Sequence, residues 1–339
     1  MSDKIYGKIM QGVGGLYSVL ITDCDFDDAN IIGSTVSCRA RGSFRHNNLS
    51  PLAGDNVILS YTRSNDKENI KGKHHESDEE YVIEEICERK NALIRPPLAN
   101  LDYLFITLAA ASPKPVLSTI DKLIAIAEFN EIEPIIVITK CELDPDYARR
   151  LKELYESCGF NVFCLSAAQG INIEPLDDFI KNALPSKLAA FAGASGIGKS
   201  TLLNRLFPSL SLSTSEISKK IQRGKHTTRK VEIFPVISPS DLDSDANSDS
   251  TPDAVGYIAD TPGFSMLDFE RFDFFEKDDL VYTMREFRPY INQCKYTKCS
   301  HTKEDGCAII AALKNKKIEP TRHQSYCELY DVLKTKTKW

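Results

Sequence analysis

A chain of 339 residues has room for two or three domains with cores of their own, and its 42% hydrophobic and 27% charged content is that of a water-soluble globular protein. No apolar run approaches the roughly 18 residues of a membrane span, and Met1-Ser2-Asp3-Lys4 opens without the apolar stretch of a secretory leader, so a cytoplasmic protein with no membrane partner is expected. The net charge of −6 argues against a free, non-specific DNA coater, and ten cysteines without a leader read as reduced thiols plus one metal cluster rather than a disulfide framework.

Residues 5 to 87 contain five short β segments, Ile5–Ile9, Leu16–Ile21, Thr35–Arg39, Asn56–Tyr61 and Tyr81–Ile86, punctuated by Gly, Asn, Asp and Pro. Five strands with no helical period predict a small all-β barrel of the OB type over residues 1–92. His74-His75 lies in a charged stretch that reads as a hairpin loop, not a metal site. Arg95-Pro96-Pro97 reads as a stiff extended linker. Beyond it the pattern becomes α/β over residues 98–275. Strand Leu104–Leu108, helix Leu117–Phe129, strand Pro134–Ile138, helix Tyr147–Cys158, strand Asn161–Leu165, helix Leu176–Ala183 and strand Leu188–Ala192 follow in turn. Such alternation predicts a parallel sheet with helices on its faces. Residues 238–253, mostly Ser, Asp, Pro and Asn, read as a disordered insert before a further strand, Val255–Ala259. Residues 276–339 are helical in pattern and carry a cysteine cluster.

The segment Gly193-Ala194-Ser195-Gly196-Ile197-Gly198-Lys199-Ser200, set between an apolar strand and a helix, fits the phosphate-binding pattern G-x-x-x-x-G-K-[ST]. Backbone N–H groups and the helix dipole there converge on a phosphate chain. Lys199 is placed to reach the β- and γ-phosphates, Ser200 to ligate magnesium, and Thr201 extends the set into the first helical turn. Asp260-Thr261-Pro262-Gly263 ends the last strand, where Asp260 can hold the magnesium shell and the Gly263 N–H can touch a γ-phosphate. Thr139-Lys140-Cys141-Glu142 also follows a buried strand and is similar to the Asn-Lys-x-Asp guanine-recognition motif. Thr139 replaces Asn, and Glu142 carries its carboxylate about 1.5 Å further than Asp. Ser166-Ala167 is similar to the companion motif whose backbone N–H meets guanine O6. Both base motifs precede the phosphate loop, the reverse of the usual order.

Cys294-x4-Cys299-x-His301-x5-Cys307 offers three thiolates and one imidazole within fourteen residues, a donor set suited to tetrahedral zinc with no open position for a catalytic water. His323 and Cys327 stand outside it as non-ligands. Lys219, Lys220, Arg223, Lys225, Arg229 and Lys230 form a basic run without an acid, with His226, Thr227 and Thr228 inside it.

With these motifs in this order, the chain resembles the circularly permuted, ribosome-dependent GTPases that assist late maturation of the bacterial small ribosomal subunit, the RsgA/YjeQ/YloQ group. The resemblance implies an OB-type barrel, a permuted GTPase domain and a helical zinc-binding domain in one chain. It implies GTP and GDP as ligands, magnesium held with GTP by Ser200 and Thr228, structural zinc on Cys294, Cys299, His301 and Cys307, and the small subunit and its rRNA as partners of a monomer. Phe264 occupies the place where many GTPases carry a water-orienting glutamine, and the resemblance assigns that role to His226. Two other readings remain open on the residues alone: a phosphate-loop ATPase or kinase for a small substrate, and an RNA-binding scaffold in which nucleotide is structural.

Overall fold

The computed structural model describes residues 4–26, 31–42, 44, 49–63, 79–94, 96–208, 231–236, 256–260 and 276–335. They fall into two compact units, one drawn from residues 1–101, 185–188 and 227–262, the other from 102–184, 189–226 and 263–339.

The first unit is built on five strands: β1 (Ile5–Val13), β2 (Leu16–Cys24), β3 (Thr35–Ala40), β4 (Asn56–Arg63) and β5 (Glu79–Ile86). They run in the order β1-β2-β3-β5-β4, and β4 returns to β1, so the sheet closes on itself. Only the β3–β5 pair is parallel. Alternate side chains point inward, and Ile5, Ile9, Val19, Ile21, Cys38, Val57, Leu59 and Ile83 fill the interior. This is the five-stranded barrel the strand pattern predicts. At Arg95-Pro96-Pro97 the chain does not run on as an extended linker. β6 (Ala92–Ile94) and β7 (Pro97–Ala99) pair antiparallel around the turn at Pro96. Proline suits both places, fixing φ within the turn and needing no ladder donor at the first residue of a strand. β12 (Glu232–Val236) and β13 (Gly256–Asp260) form an antiparallel pair in this same unit, and β12 meets β1 at Gln11 and Glu232.

The second unit holds a parallel sheet in the order β10-β9-β8-β11, with β8 (Tyr103–Ala109), β9 (Glu133–Thr139), β10 (Asn161–Cys164) and β11 (Leu188–Ala192). The register sets Ala109 beside Thr139, Cys164 beside Ile138 and Ala192 beside Ile106. All four strands therefore end at one edge, where open α/β sheets bind their ligands. β8, β9 and β11 are buried almost throughout, which is why they read as unbroken apolar runs. Helices α1 (Leu117–Phe129), α2 (Pro145–Ser157), α3 (Glu174–Ala183) and α4 (Lys199–Leu206) connect and cover them. Asp144 caps α2, its carboxylate accepting the Tyr147 N–H at 3.0 Å, and Pro145 opens the first turn.

The C-terminal segment belongs to this second unit. Two 3₁₀ turns, Leu280–Thr283 and Arg285–Tyr290, precede α5 (Ala308–Lys314) and α6 (Pro320–Thr335). Arg322 of α6 is completely buried and donates to Asp121 of α1 at 2.6 Å and to Glu286 at 2.7 Å. Arg285 grips Glu128 and Glu133, each at 2.6 Å. Burial pushes the Asp121 carboxyl up, and the Arg322 guanidinium opposes that rise. Among the described residues no helix is long and apolar enough to cross a membrane.

Replacing Arg322 with alanine strands two buried carboxylates. The expected cost is about 3–5 kcal/mol of unfolding free energy, measured by urea titration of the full chain.

Candidate nucleotide site and metal centre

The carboxyl edge of the second unit gathers four segments of the chain. After β11 comes the phosphate loop, which turns at Gly193 with φ 152° and enters α4 through Gly198 with φ 92°. A Cβ at Gly193 would collide with the Thr107 carbonyl and the Ile197 side chain, so only glycine lets the loop lie this close to β8. Ala194, Ser195 and Gly196 are exposed around the mouth of the loop, Ile197 is buried beneath it, and Lys199 and Ser200 stand half-exposed at the start of α4.

The end of β9 holds this loop from the side. The Thr139 hydroxyl, almost fully buried, lies 2.5 Å from the Ile197 carbonyl and 3.2 Å from that of Leu108. Its single proton can serve only one of them at a time, and the shorter contact is the one to the phosphate loop. Lys140 adopts φ 55° and donates from Nζ to Gly196 O at 2.7 Å and to Ser112 O at 2.5 Å. Thr139 and Lys140 thus both tie the phosphate loop to the end of β9.

Glu142 completes the arrangement. Its Oε2 is buried and has no hydrogen-bond partner. It lines a small pocket of about 80 Å³ together with Thr139, Lys140, Ser166, Ala167 and Thr201. A buried acceptor without a donor costs about 1–3 kcal/mol, more when charged, and a ligand that brings donors would relieve that cost. The N1–H and N2–H pair of guanine supplies them; the adenine edge at those positions does not. This places the predicted Thr139, Lys140, Glu142, Ser166, Ala167, Gly198 and Thr201 around one space.

Several contributors carry no sequence signal. Arg205 reaches from α4 to the Ala167 carbonyl at 3.3 Å, and its guanidinium occupies the space a Cβ at Gly170 would need. Ser166 and Ile171 exchange both backbone hydrogen bonds at 3.0 Å, closing the loop that carries Ala167. Cys141 and Cys164 form a disulfide, against the expectation of reduced thiols outside the metal cluster. Their separation of 23 residues is no guide; parallel pairing of β9 with β10 is what brings them to one edge. Asp260 ends β13, as its strand pattern predicts. His226, Thr227, Thr228, Gly263, Phe264, the basic run from Lys219 to Lys230, the insert at 238–253 and the His74-His75 pair lie outside the described residues.

The cysteine cluster is compact. One donor atom each from Cys294, Cys299, His301 and Cys307 lies within 4.8 Å of the others. Cys294 Sγ and Cys307 Sγ are 3.8 Å apart, and each sits 3.5 Å from His301 Nδ1. A tetrahedral ion bonded at about 2.3 Å to sulfur and about 2.0–2.1 Å to nitrogen requires edges of about 3.8 Å and about 3.6 Å, so the residues fit such an ion. Burial lowers the His301 pKa, keeping its imidazole neutral and able to donate a lone pair. Burial also raises Cys299 to about 12, which leaves a thiol until a cation stabilises the thiolate.

Outer contacts shape the cluster. His323, a non-ligand as its place in the sequence implies, bonds through Nε2 to the His301 carbonyl at 2.8 Å. Burial would raise the Glu304 carboxyl, but hydrogen bonds from the Ser300 hydroxyl and from the Ser300, Glu304 and Lys303 N–H groups outweigh it and bring its pKa down to about 2.

Two family profiles match the chain: that of the RsgA GTPase over residues 86–270 and that of the RsgA N-terminal domain over residues 6–68. The chain belongs to the RsgA GTPase family. A relative from Bacillus pumilus (strain SAFR-032), named small ribosomal subunit biogenesis GTPase RsgA, is 37% identical over 333 residues, covering 97% of each chain. The Bacillus subtilis (strain 168) protein of the same name is 35% identical over the same span. Among solved structures, YjeQ from Thermotoga maritima aligns at TM-score 0.72 and 28% identity, covering 98% of this chain and all of the other. YloQ, described as a circularly permuted GTPase, aligns at 0.68 and 31% identity, covering 99% and 97%. The chain is thus a small ribosomal subunit biogenesis GTPase with a permuted GTPase fold, and the expected architecture of barrel, GTPase core and metal-binding C-terminal region stands.

Exchanging Glu304 for alanine removes the acceptor that pins the turn between Cys299 and Cys307. Zn²⁺ affinity, read by competition with a chromophoric chelator, is expected to fall about tenfold.

Proposed function

We propose that the chain is a ribosome-dependent GTP switch, cytoplasmic and monomeric, that binds the small ribosomal subunit through rRNA and leaves it on hydrolysis. The observation that carries the guanine part is the buried, partnerless Glu142 Oε2 beside the Lys140–Gly196 hydrogen bond. In this reading the three modules are residues 1–92, 98–275 and 276–339, with the barrel and the zinc-bearing module facing RNA.

Each residue has a stated task. The Lys140 stem lies along the guanine plane while its Nζ stays on the phosphate loop. Glu142 accepts the two guanine N–H groups, and the Ala167 N–H meets O6. Gly193 to Ser200 wrap the phosphates with backbone N–H groups, and Lys199 offsets their charge. Ser200, Thr228 and Asp260 would hold magnesium, which when bound would supply positive charge to offset that developing between the β- and γ-phosphates. His226 orients the attacking water, since Phe264 at the usual glutamine position can neither donate nor accept a hydrogen bond. The basic run from Lys219 to Lys230 surrounds His226, so rRNA phosphates that engage it also order the catalytic segment. The four ligands Cys294, Cys299, His301 and Cys307 leave zinc no open position, which makes its role structural.

Without subunits, GTP turnover is expected near the ~10⁻⁴–10⁻² s⁻¹ of unassisted GTPases. Purified small subunits raise it, and added salt removes the stimulation by displacing phosphate contacts. His226→Ala abolishes the stimulated rate while leaving nucleotide binding intact; stimulation within about twofold of the unaltered protein removes His226 from the mechanism. Equal affinity for ATP and GTP would remove Glu142 from base selection, and a turnover unchanged by subunits would remove the proposed coupling to rRNA.

A substitution tests the base site. Glu142→Gln presents one donor and one acceptor where the carboxylate presented two acceptors. GTP affinity is expected to fall about 10–100-fold, and xanthosine triphosphate, with N1–H beside a C2 carbonyl, to bind better than GTP in a fluorescence competition assay.

A further inference from the structure

Cys141 and Cys164 are the only cysteines among the described residues that are joined to each other, and they are joined at the nucleotide site. Cys141 stands between Lys140 and Glu142, and Cys164 lies two residues before Ser166. Their Cα atoms are 6.4 Å apart, inside the range a disulfide spans. Both are half-exposed, within reach of a small molecule in solution. Backbone contact continues beside the bond, where the Cys141 N–H donates to Leu165 O at 3.3 Å.

From this placement we propose that Cys141 and Cys164 form a thiol–disulfide switch that sets guanine-nucleotide affinity. The proposal rests on the guanine reading of the same pocket. In the oxidised form the bond staples the β9 end, bearing Lys140 and Glu142, to the β10 end, bearing Ser166 and Ala167. The two halves of the base site are then held in register before any nucleotide arrives, and binding is spared their ordering. Reduction replaces a covalent link by a non-bonded contact, in which heavy atoms stand about 3.5–4 Å apart, so the loops beyond the β9–β10 ladder gain freedom while the ladder itself persists. The reduced state is locally satisfied as well. The Ile138 carbonyl lies 3.2 Å from Cys141 Sγ and accepts the thiol proton once the bond is open. Two states with satisfied partners, differing at the base pocket, are what a switch needs.

The oxidant is a low-molecular-weight disulfide. One cysteine thiolate attacks a sulfur of that disulfide, breaks its S–S bond and expels one thiolate. The second cysteine then attacks the mixed disulfide, forms the Cys141–Cys164 bond and expels the other. The two protons lost by the cysteines end on the two released thiols; the cysteine pair is oxidised and the small disulfide reduced. Excess dithiol runs the sequence backwards.

The test uses the full-length, zinc-loaded protein equilibrated in oxidised or reduced dithiothreitol, with the bond assigned by peptide mapping and zinc content checked in each sample. GDP affinity is then measured with a fluorescent GDP analogue. The oxidised form is expected to bind at least about fivefold more tightly than the reduced form, the lower end of ordinary coupling between sites. Cys141→Ser and Cys164→Ser are each expected to bind as the reduced protein does, at either poise. Equal GDP affinity in both forms of the unaltered protein, with the bond mapped as formed, overturns the proposal. So does a redox response that survives in both serine variants at constant zinc content, and so does failure of the bond to form under oxidising dithiothreitol. Absence of GDP binding in either form strikes the guanine reading itself, which separates that failure from failure of the switch.

Discussion

The nucleotide site depends on the side of the phosphate loop being tied to the end of β9. A glycine-rich loop has little packing to define it, and Gly193, Gly196 and Gly198 all adopt backbone angles that other residues rarely reach. What holds it are hydrogen bonds to its carbonyls, from Thr139 Oγ1 to Ile197 and from Lys140 Nζ to Gly196. Those same two residues begin the base-recognition segment. The phosphate loop and the Thr139–Lys140 segment are therefore mechanically one object, and Arg205 extends it to the Ala167 loop.

This dependence on neighbours in space explains why reversed motif order is no obstacle. β9, β8 and β11 lie side by side and parallel, so their carboxyl ends meet whichever is made first. A doubly wound sheet can be opened at one surface loop and closed at another without disturbing that edge. In this chain β11 and its loop come after the base segments, and the pocket forms all the same.

The C-terminal segment obeys a different constraint. Its 3₁₀ turns and α6 are held to α1 and the strand beyond it by charge as well as by apolar contact. Phe160 offers its ring to both guanidiniums, at 4.7 Å for Arg285 and 5.7 Å for Arg322. Buried ion pairs contribute little net stability against apolar substitutes, but each fixes one geometry, because any other leaves a charge unpaired. The cysteine cluster sits between the 3₁₀ turns and α5, where the Glu304-pinned turn and the buried ring of Tyr326 stand beside His301.

Much of this was readable in the chain. Five short strands without a helical period gave away the barrel, unbroken apolar runs the buried parallel strands, and Gly-x4-Gly-Lys-Ser the phosphate loop, because each signal is local and its physics acts within a few residues. Thr139-Lys140 and Ser166-Ala167 were visible as motifs, and their order relative to Gly193 pointed to permutation. The cysteine spacing of the metal cluster was legible for the same reason, its ligands being close in sequence. Arg205, the Cys141–Cys164 bond, the turn at Pro96 and the buried Arg322 were not. Arg322 meets Asp121 across 201 residues and Cys141 meets Cys164 across 23, and no local pattern records which strands will pair or which helix faces will meet. Sequence alone determined the elements and the chemistry they carry. Only the tertiary structure decided that the Glu142 Oε2 should be buried without a partner, since burial and hydrogen bonding belong to the assembled site and not to any residue within it.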